Sequence, residues 1–186
     1  GMRFYARFIP GKMKWVVAWL EWKYKIKDGE RRTEKVGDVL FEMDIPSDDD
    51  GYVLFRCPKC GELFKIRPTD YYAEEVIKIH CPLCGLVSDN YMTTDVIELG
   101  LTMAENYAMN MIYDAFSSIS KKSRNSSVKF KVDKPRIKEE VPLRSTIDAM
   151  EIHEFSCCKR TAKLRYSLIY CGSYCTFCGG KDDGSV

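Results

Sequence analysis

The sequence predicts an α+β fold in which small antiparallel β modules surround one long central helix. Three observations support this fold class. Aromatic and lysine residues alternate along residues 15–27, two copies of a Cys-Pro-x-Cys-Gly motif lie between residues 57 and 85, and apolar residues recur at helical spacing after residue 94. With 186 residues, of which 45% are hydrophobic, the chain is long enough for one ordinary domain or two to three small ones.

The first 45 residues are predicted to form three strands separated by turns at Pro10-Gly11 and Asp28-Gly29. The strands span residues 3–9, 15–27 and 36–45. In the second, the period of two places an aromatic face on a core and a lysine row on the other side. That row is either a solvated face or a basic surface for phosphates. Its members are Lys23, Lys25 and Lys27, extended by Arg31, Arg32 and Lys35 of the next loop.

The two motifs are Cys57-Pro58-Lys59-Cys60-Gly61 and Cys81-Pro82-Leu83-Cys84-Gly85, with 20 residues between the facing cysteines. Four thiolates at this spacing are typical of a closed tetrahedral zinc site that leaves no position for a substrate. We therefore predict a structural zinc site held by Cys57, Cys60, Cys81 and Cys84, with neighbouring His80 outside the ligand set. The predicted flanking strands are residues 52–56, 63–66 and 76–80, with a loop over residues 67–75.

A second cysteine group lies towards the C-terminal end. Cys175-Thr176-Phe177-Cys178-Gly179 retains the Cys-x-x-Cys-Gly form, but the first half offers adjacent cysteines, Cys157 and Cys158, with 16 residues between Cys158 and Cys175. The predicted second zinc site uses Cys157, Cys158, Cys175 and Cys178, with Cys171 or His153 as alternative ligands. The competing interpretation is a degenerate ribbon whose thiols are buried and reduced. Strands over residues 152–157 and 161–170 would form its hairpin.

One long helix is predicted from Thr93 or Thr94, either of which can cap it, to about Lys121. Apolar residues repeat along it at alternating intervals of four and three, the pattern of a packing seam. The seam either packs on flanking zinc modules or mediates self-association. It contains Ile97, Leu101, Ala104, Ala108, Met111 and Ala115.

The most basic stretch runs from Lys121 to Lys138, with eight basic residues and a single acidic one, Asp133. It is predicted to be a linker around one strand, residues 128–132. The stretch is either a solvated linker or an arm that follows a phosphate backbone. The candidate nucleic-acid contacts are Lys121, Lys122, Arg124, Lys129 and Lys131.

These patterns divide the chain into five predicted segments. They are an N-terminal β segment (1–50), a four-cysteine zinc ribbon (51–92), the central helix (93–122), a basic strand and linker (123–150) and an altered ribbon (151–186).

Localisation and activity follow from composition and from missing motifs. The sequence begins without an apolar signal segment, and four of its nine cysteines form paired motifs, so we expect a reducing, cytoplasmic setting. Apolar runs are too short to span a membrane. The sequence lacks a His-Glu-x-x-His helix, a Gly-rich phosphate loop and a nucleophile elbow, so we expect neither an enzyme nor a small-molecule substrate.

At these cysteine motifs, over residues 52–91 and 152–180, the chain resembles the zinc-ribbon superfamily, of which the transcription initiation factor IIB type is one branch. The resemblance implies a metal-stabilised platform for nucleic-acid or protein contacts, and it carries over metal ligands but no catalytic residue. The same motif is similar to that of rubredoxin, which would imply iron and electron transfer.

We therefore expect a non-enzymatic zinc-ribbon protein that binds nucleic acid or assembles on a nucleic-acid machine. Tyr71 and Tyr72 in the ribbon loop are expected to be exposed and able to stack on bases. The alternative is a protein-interaction adaptor or structural homodimer. An iron electron carrier is the third hypothesis.

Overall fold

The computed structural model describes residues 2–9, 12–27, 30–122, 132–145 and 149–184. It confirms the predicted α+β class, with antiparallel sheets and one long helix. The chain divides into two compact units, one formed by residues 1–96 and 143–186 and the other by residues 97–142. Each unit is described by itself below.

An N-terminal sheet contains three antiparallel strands in the order β1-β2-β3. They are β1 (Met2–Ile9), β2 (Lys12–Lys27) and β3 (Glu30–Ile45). The sequence predicts a third strand that begins only at residue 36, and a loop that holds Arg31, Arg32 and Lys35; both predictions are wrong. Residues 30–35 lack an apolar alternation, but each faces a residue of β2, so the strand is extended by cross-strand pairing and not by an apolar pattern of its own. The structure describes the backbone of β2 but not its side chains, so the predicted lysine row lies outside the described part of the chain.

A second, four-stranded sheet joins the two cysteine regions. Its order is β4-β5-β7-β6, and all its pairs are antiparallel. The strands are β4 (Val53–Arg56), β5 (Leu63–Ile66), β6 (Met150–Glu154) and β7 (Thr161–Arg165). Each cysteine region supplies one hairpin, and β5 pairs with β7 at Lys65↔Lys163 and Ile66↔Ala162. We call this sheet and its cysteine motifs the ribbon module.

The core of the ribbon module is formed by aromatic and aliphatic side chains from both hairpins. Burial alternates along β4 and β7, whereas β5 buries Phe64, Lys65 and Ile66 in succession. The buried side chains of the two cysteine regions lie on strands of one sheet. The Tyr52 hydroxyl also lies 2.8 Å from Thr161 Oγ1 and so connects the two regions directly. The core side chains, none more than 2% exposed, include Phe55, Phe64, Ile66, Phe155 and Leu164.

Short elements complete this unit. They are α1 (Pro68–Tyr71), α3 (Tyr166–Cys171), β8 (Ser173–Tyr174) and β9 (Lys181–Asp182). Two predicted strands are wrong here. Residues 76–80 form only an isolated bridge between His80 and Val87, because the His80 amide donates to Thr176 across the module. The strand predicted over residues 161–170 ends at Arg165, and α3 follows, with Leu168 buried.

The carboxylate of Asp48 holds the central strand pair together. Register places Lys65 of β5 directly opposite Lys163 of β7, which would repel each other if unpaired. Asp48 Oδ2 lies 3.3 Å from Lys65 Nζ and 2.8 Å from Lys163 Nζ, and Oδ1 accepts the Tyr52 amide at 2.9 Å. Burial alone would raise the pKa of Asp48, but the hydrogen bonds from Lys163, Tyr52 and Lys65 hold it below its usual value.

The long helix α2 (Thr94–Lys122) agrees closely with the predicted bounds. In the unit of residues 97–142, Asn106 Nδ2 donates to the Lys138 carbonyl and Asn106 Oδ1 accepts the Lys138 amide, both at 2.9 Å. Of the predicted seam, Ala104 is buried, whereas Leu101, Met111 and Ala115 are exposed. The seam is therefore not covered along its length by other described residues. The strand predicted over residues 128–132 lies outside the described residues except for Val132, which is not in a strand.

Replacing Asp48 by Asn is expected to lower the free energy of unfolding by about 1–3 kcal/mol, because two facing lysines lose their shared counter-charge. The pKa of Asp48 is lowered in the folded state, so its stabilisation is fully present above the ordinary carboxyl pKa and is lost only in acid. Chemical denaturation at pH 7.5 therefore measures all of it. Exposed Asp49→Asn is the matched control and should change stability by less than about 0.5 kcal/mol. Equal effects of the two substitutions would contradict the role given to Asp48.

Candidate metal centres

The first cysteine motif is a tight backbone turn between β4 and β5. The Cys57 amide donates to the Glu62 carbonyl at 2.8 Å, and the Gly61 amide donates to the Cys57 carbonyl at 2.9 Å. Gly61 has φ +78°, in the left-handed region that glycine adopts without steric cost. We call this turn a knuckle. Residues 81–85 form a second knuckle, in which the Cys81 amide donates to the Leu86 carbonyl and the Gly85 amide donates to the Cys81 carbonyl.

The two knuckles bring four sulfur atoms together. Cys57 Sγ lies 3.9 Å from Cys84 Sγ, and Cys60 Sγ lies 3.4 Å from Cys81 Sγ. All four lie within 4.8 Å of one another. A tetrahedral ion with Zn–S bonds of about 2.3 Å needs sulfurs roughly 3.8 Å apart, so this cluster could hold a metal ion. The cluster comprises Cys57, Cys60, Cys81 and Cys84, the predicted set.

The surroundings of the thiols in this first cluster are compatible with a bound cation. Burial opposes ionisation of the Cys57 thiol, but amide donors from Cys60 and Lys59 lower its pKa below the usual value. Burial raises the pKa of Cys81 far above its usual range, despite amides donated by Cys84 and Leu83. A bound cation would reverse this penalty, because coordinated thiols are deprotonated outright.

The second cluster also assembles as predicted. Cys157 Sγ lies 3.2 Å from Cys178 Sγ, and Cys158 Sγ lies 3.5 Å from Cys175 Sγ. The two alternative ligands lie outside it. Cys171 is exposed at the end of α3, and His153 Nε2 pairs with Asp182 Oδ2 at 3.2 Å. The cluster comprises Cys157, Cys158, Cys175 and Cys178.

The backbone explains how two adjacent cysteines can serve this cluster. The Phe155 amide donates to the Arg160 carbonyl and the Lys159 amide donates to the Phe155 carbonyl, both at 2.9 Å. These are the two hydrogen bonds of a knuckle, so residues 155–159 form one in which Phe155 replaces the first cysteine. Lys159 takes the glycine position and has φ +59°. Cys158 is an ordinary ligand at position four, whereas Cys157, at position three, replaces the ligand missing from position one.

This register was not predicted from the sequence, although the signal was present. Phe155-Ser156-Cys157-Cys158-Lys159 aligns with the other knuckles once Cys158 is matched to their last cysteine. A positive φ at Lys159 could not be expected from its residue type, because the left-handed region is uncommon for residues other than glycine.

The second knuckle of each cluster contacts that of the other. The His80 amide donates to the Thr176 carbonyl at 2.9 Å, and the Tyr174 amide donates to the Pro82 carbonyl at 2.8 Å. A Cβ at Gly179 would lie 2.8 Å from the His80 ring, so this position requires glycine for space as well as conformation. His80 therefore packs against the neighbouring knuckle and is outside both cysteine clusters, as expected.

The prediction that Tyr71 and Tyr72 are exposed for base stacking is wrong. The Tyr71 ring stacks on Phe55 with centroids 5.6 Å apart, and Tyr72 meets Tyr71 edge-on at 5.0 Å. Burial raises the pKa of both hydroxyls above the usual tyrosine value. The helix α1, which the sequence did not predict, turns these rings onto the sheet.

Acidic neighbours pair with several basic side chains of the ribbon module. Arg165 forms a bidentate pair with Glu62, whose side chain is 1% exposed. Arg160 reaches Asp70 at 3.1 Å and Glu75 at 3.0 Å. These cations already have carboxylate partners within the module. Of the candidate nucleic-acid residues, Arg124, Lys129 and Lys131 lie outside the described residues; Lys121 and Lys122 end α2, without described side chains.

Comparisons with known proteins add no relative. No family model, curated protein or solved structure matches the chain. Within the described part of the chain, no helix is long and apolar enough to cross a membrane. What is established is a pair of four-cysteine clusters that could bind metal ions and that share one antiparallel module.

Proposed function

We propose that the chain is a non-enzymatic zinc protein that holds one zinc ion in each cluster as a structural centre. The observation that carries this proposal is that each cluster supplies four thiols within 4.8 Å of one another. Four cysteine ligands complete a tetrahedral zinc site and leave no open position for a substrate or a reactive water. Iron is the alternative metal, since the same ligands accept it, and it would favour electron transfer.

Zinc would stabilise a module whose core is small. Strands β4–β7 have four or five residues each, and every cysteine ligand lies in a turn. Short hairpins are marginal by themselves in water, so metal binding would supply much of their folding free energy.

We further propose that this module supports self-association through α2, the adaptor or homodimer hypothesis. Ile112, Phe116 and Ile119 recur at intervals of four and three, and each is 51% exposed. Leu101 lies on the same helix face, eleven residues before Ile112, and is 46% exposed. A second copy of the same helix offers an identical spacing, so two helices can bury this row in a two-fold pair.

Nucleic-acid binding is the second candidate function. The observation that favours it is the basic stretch 121–138, with eight basic residues and one acidic residue. The ribbon module gives this candidate less support than the sequence suggested, because Arg160, Lys163 and Arg165 are paired with carboxylates and Tyr71 is packed. Binding would therefore depend on the basic stretch.

Elemental analysis of the purified protein is expected to give two zinc ions per chain. Cys60→Ser should reduce this to about one and destabilise the ribbon module, because metal binding and folding are coupled there. Cys171→Ser removes an exposed cysteine outside both clusters and should retain two ions. Unchanged zinc content and thermal stability in Cys60→Ser would contradict the assignment of a zinc site to the first cluster. If the purified protein contains iron in place of zinc, the electron-transfer alternative is favoured.

Phe116→Asp is expected to convert a dimer into a monomer, since a buried charge in a two-helix seam is strongly unfavourable. Sedimentation analysis should show a dimer dissociation constant raised by about thirtyfold or more, the effect of a hot-spot residue worth about 2 kcal/mol. Asn110→Asp introduces the same charge on another face of α2 and serves as the control. A wild-type protein that stays monomeric at high concentration would contradict self-association.

Replacing Arg124, Lys129 and Lys131 together by Gln should weaken binding to DNA and RNA. The plot of log affinity against log salt should become shallower by up to about 0.9 for each phosphate of duplex DNA that the variant no longer neutralises. Fluorescence anisotropy with single- and double-stranded probes measures both effects, and Lys59→Gln in the first knuckle is the control. An absence of binding by the wild-type protein at low salt would remove this candidate function.

A further inference from the structure

The knuckle of residues 155–159, which we call the altered knuckle, changes the hydrogen bonding of one ligand, Cys157. In the three ordinary knuckles, the amides of positions three and four donate to the sulfur at position one. These pairs of donors act on Cys57, Cys81 and Cys175. Such bonds stabilise a thiolate, since charge-assisted hydrogen bonds are stronger than neutral ones.

In the altered knuckle the same two amides belong to Cys157 and Cys158, and the position-one side chain that they would serve is Phe155. A phenyl ring has no sulfur to accept them, and Phe155 is fully buried against His153 and Phe177. The displaced ligand, Cys157, is exposed and has the sulfurs of Cys178 and Cys175 as hydrogen-bonding neighbours.

Exposure alone does not distinguish Cys157. Cys60 in the first cluster and Cys178 in the second are also exposed, but each follows the normal register. Cys60 accepts the amide of Glu62, and Cys178 accepts the amide of Gly180. The two clusters therefore offer an internal comparison between an exposed ligand in an ordinary knuckle and one in an altered knuckle.

We propose that Cys157 is the reactive thiolate of the second cluster and a site of oxidation by peroxides, which release the metal ion of that cluster alone. This inference rests on the proposed zinc occupancy. Zinc-bound thiolates that lack amide donors keep more charge on sulfur and are better nucleophiles, and Cys157 also lies open to solvent.

The chemistry requires one hydrogen peroxide per chain. The Cys157 sulfur attacks a peroxide oxygen and breaks the O–O bond, which gives a sulfenic acid and hydroxide. Cys178, whose sulfur lies 3.2 Å away, then attacks the Cys157 sulfur and displaces a second hydroxide. Two thiolates lose two electrons, the peroxide gains them, and the resulting disulfide removes two ligands from the metal.

The experiment uses the full chain carrying Cys171→Ser, so that the exposed cysteine outside the clusters cannot react. Zinc content is measured first, hydrogen peroxide is added, and released zinc is followed with a colorimetric chelator while peptide mapping locates disulfides. We expect one zinc ion to leave about tenfold faster than the other, equivalent to about 1.4 kcal/mol, with a Cys157–Cys178 disulfide. In a parallel sample, N-ethylmaleimide should modify Cys157 before Cys60.

A repaired knuckle provides the matched variant. Phe155→Cys combined with Cys157→Lys restores cysteine at position one and should slow the fast release to the rate of the first cluster. Because Phe155 is a core residue, this variant is at risk of misfolding, and the labelling order in the Cys171→Ser chain decides the question without it.

The outcomes separate the two proposals. Fewer than two bound metal ions before oxidation would overturn the proposed function, and this inference with it. Two zinc ions released together, or Cys60 modified first, would overturn the inference and leave the proposed function intact.

Discussion

The antiparallel pairing of β5 with β7 is the contact on which the rest of the ribbon module depends. It joins hairpins from two distant parts of the chain into one sheet, and it places Lys65 opposite Lys163. That like-charge pair is tolerated because Asp48, contributed from outside the sheet, lies close to both ammonium groups. Asp50 Oδ2 also lies 2.5 Å from Lys163 Nζ, whereas Asp48 pairs with both lysines and so links the two cysteine regions.

The two clusters are consequently parts of one structure. Backbone hydrogen bonds from His80 to Thr176 and from Tyr174 to Pro82 connect their second knuckles, at a point of contact separate from the β5–β7 pairing. Loss of metal from one cluster would destabilise the sheet that also carries the other cluster. The proposed difference in lability matters for this reason, because release from the second cluster alone would leave the first to hold the hairpins.

The module also limits the ways in which the protein could contact partners. Several of its cationic side chains are paired with carboxylates, as Arg165 is with Glu62, and its loop tyrosines are packed. The candidate contact surfaces therefore lie elsewhere, in the exposed row of α2 around Phe116 and in the basic stretch 121–138. These two surfaces favour different partners, and the proposed experiments distinguish them.

Local patterns in the sequence were sufficient for the α+β class, the bounds of α2 and the four cysteines of the first cluster. They also indicated the four cysteines of the second cluster, with Cys171 and His153 left open as alternative ligands. Cysteine spacing and helical periodicity are properties of neighbouring residues, so they can be recognised without the rest of the fold. The pairing of β5 with β7, the approach of Cys157 to Cys178, and the packing of Tyr71 on Phe55 were decided only by tertiary structure. Each depends on a partner remote in sequence, and local periodicity contains no information about such a partner.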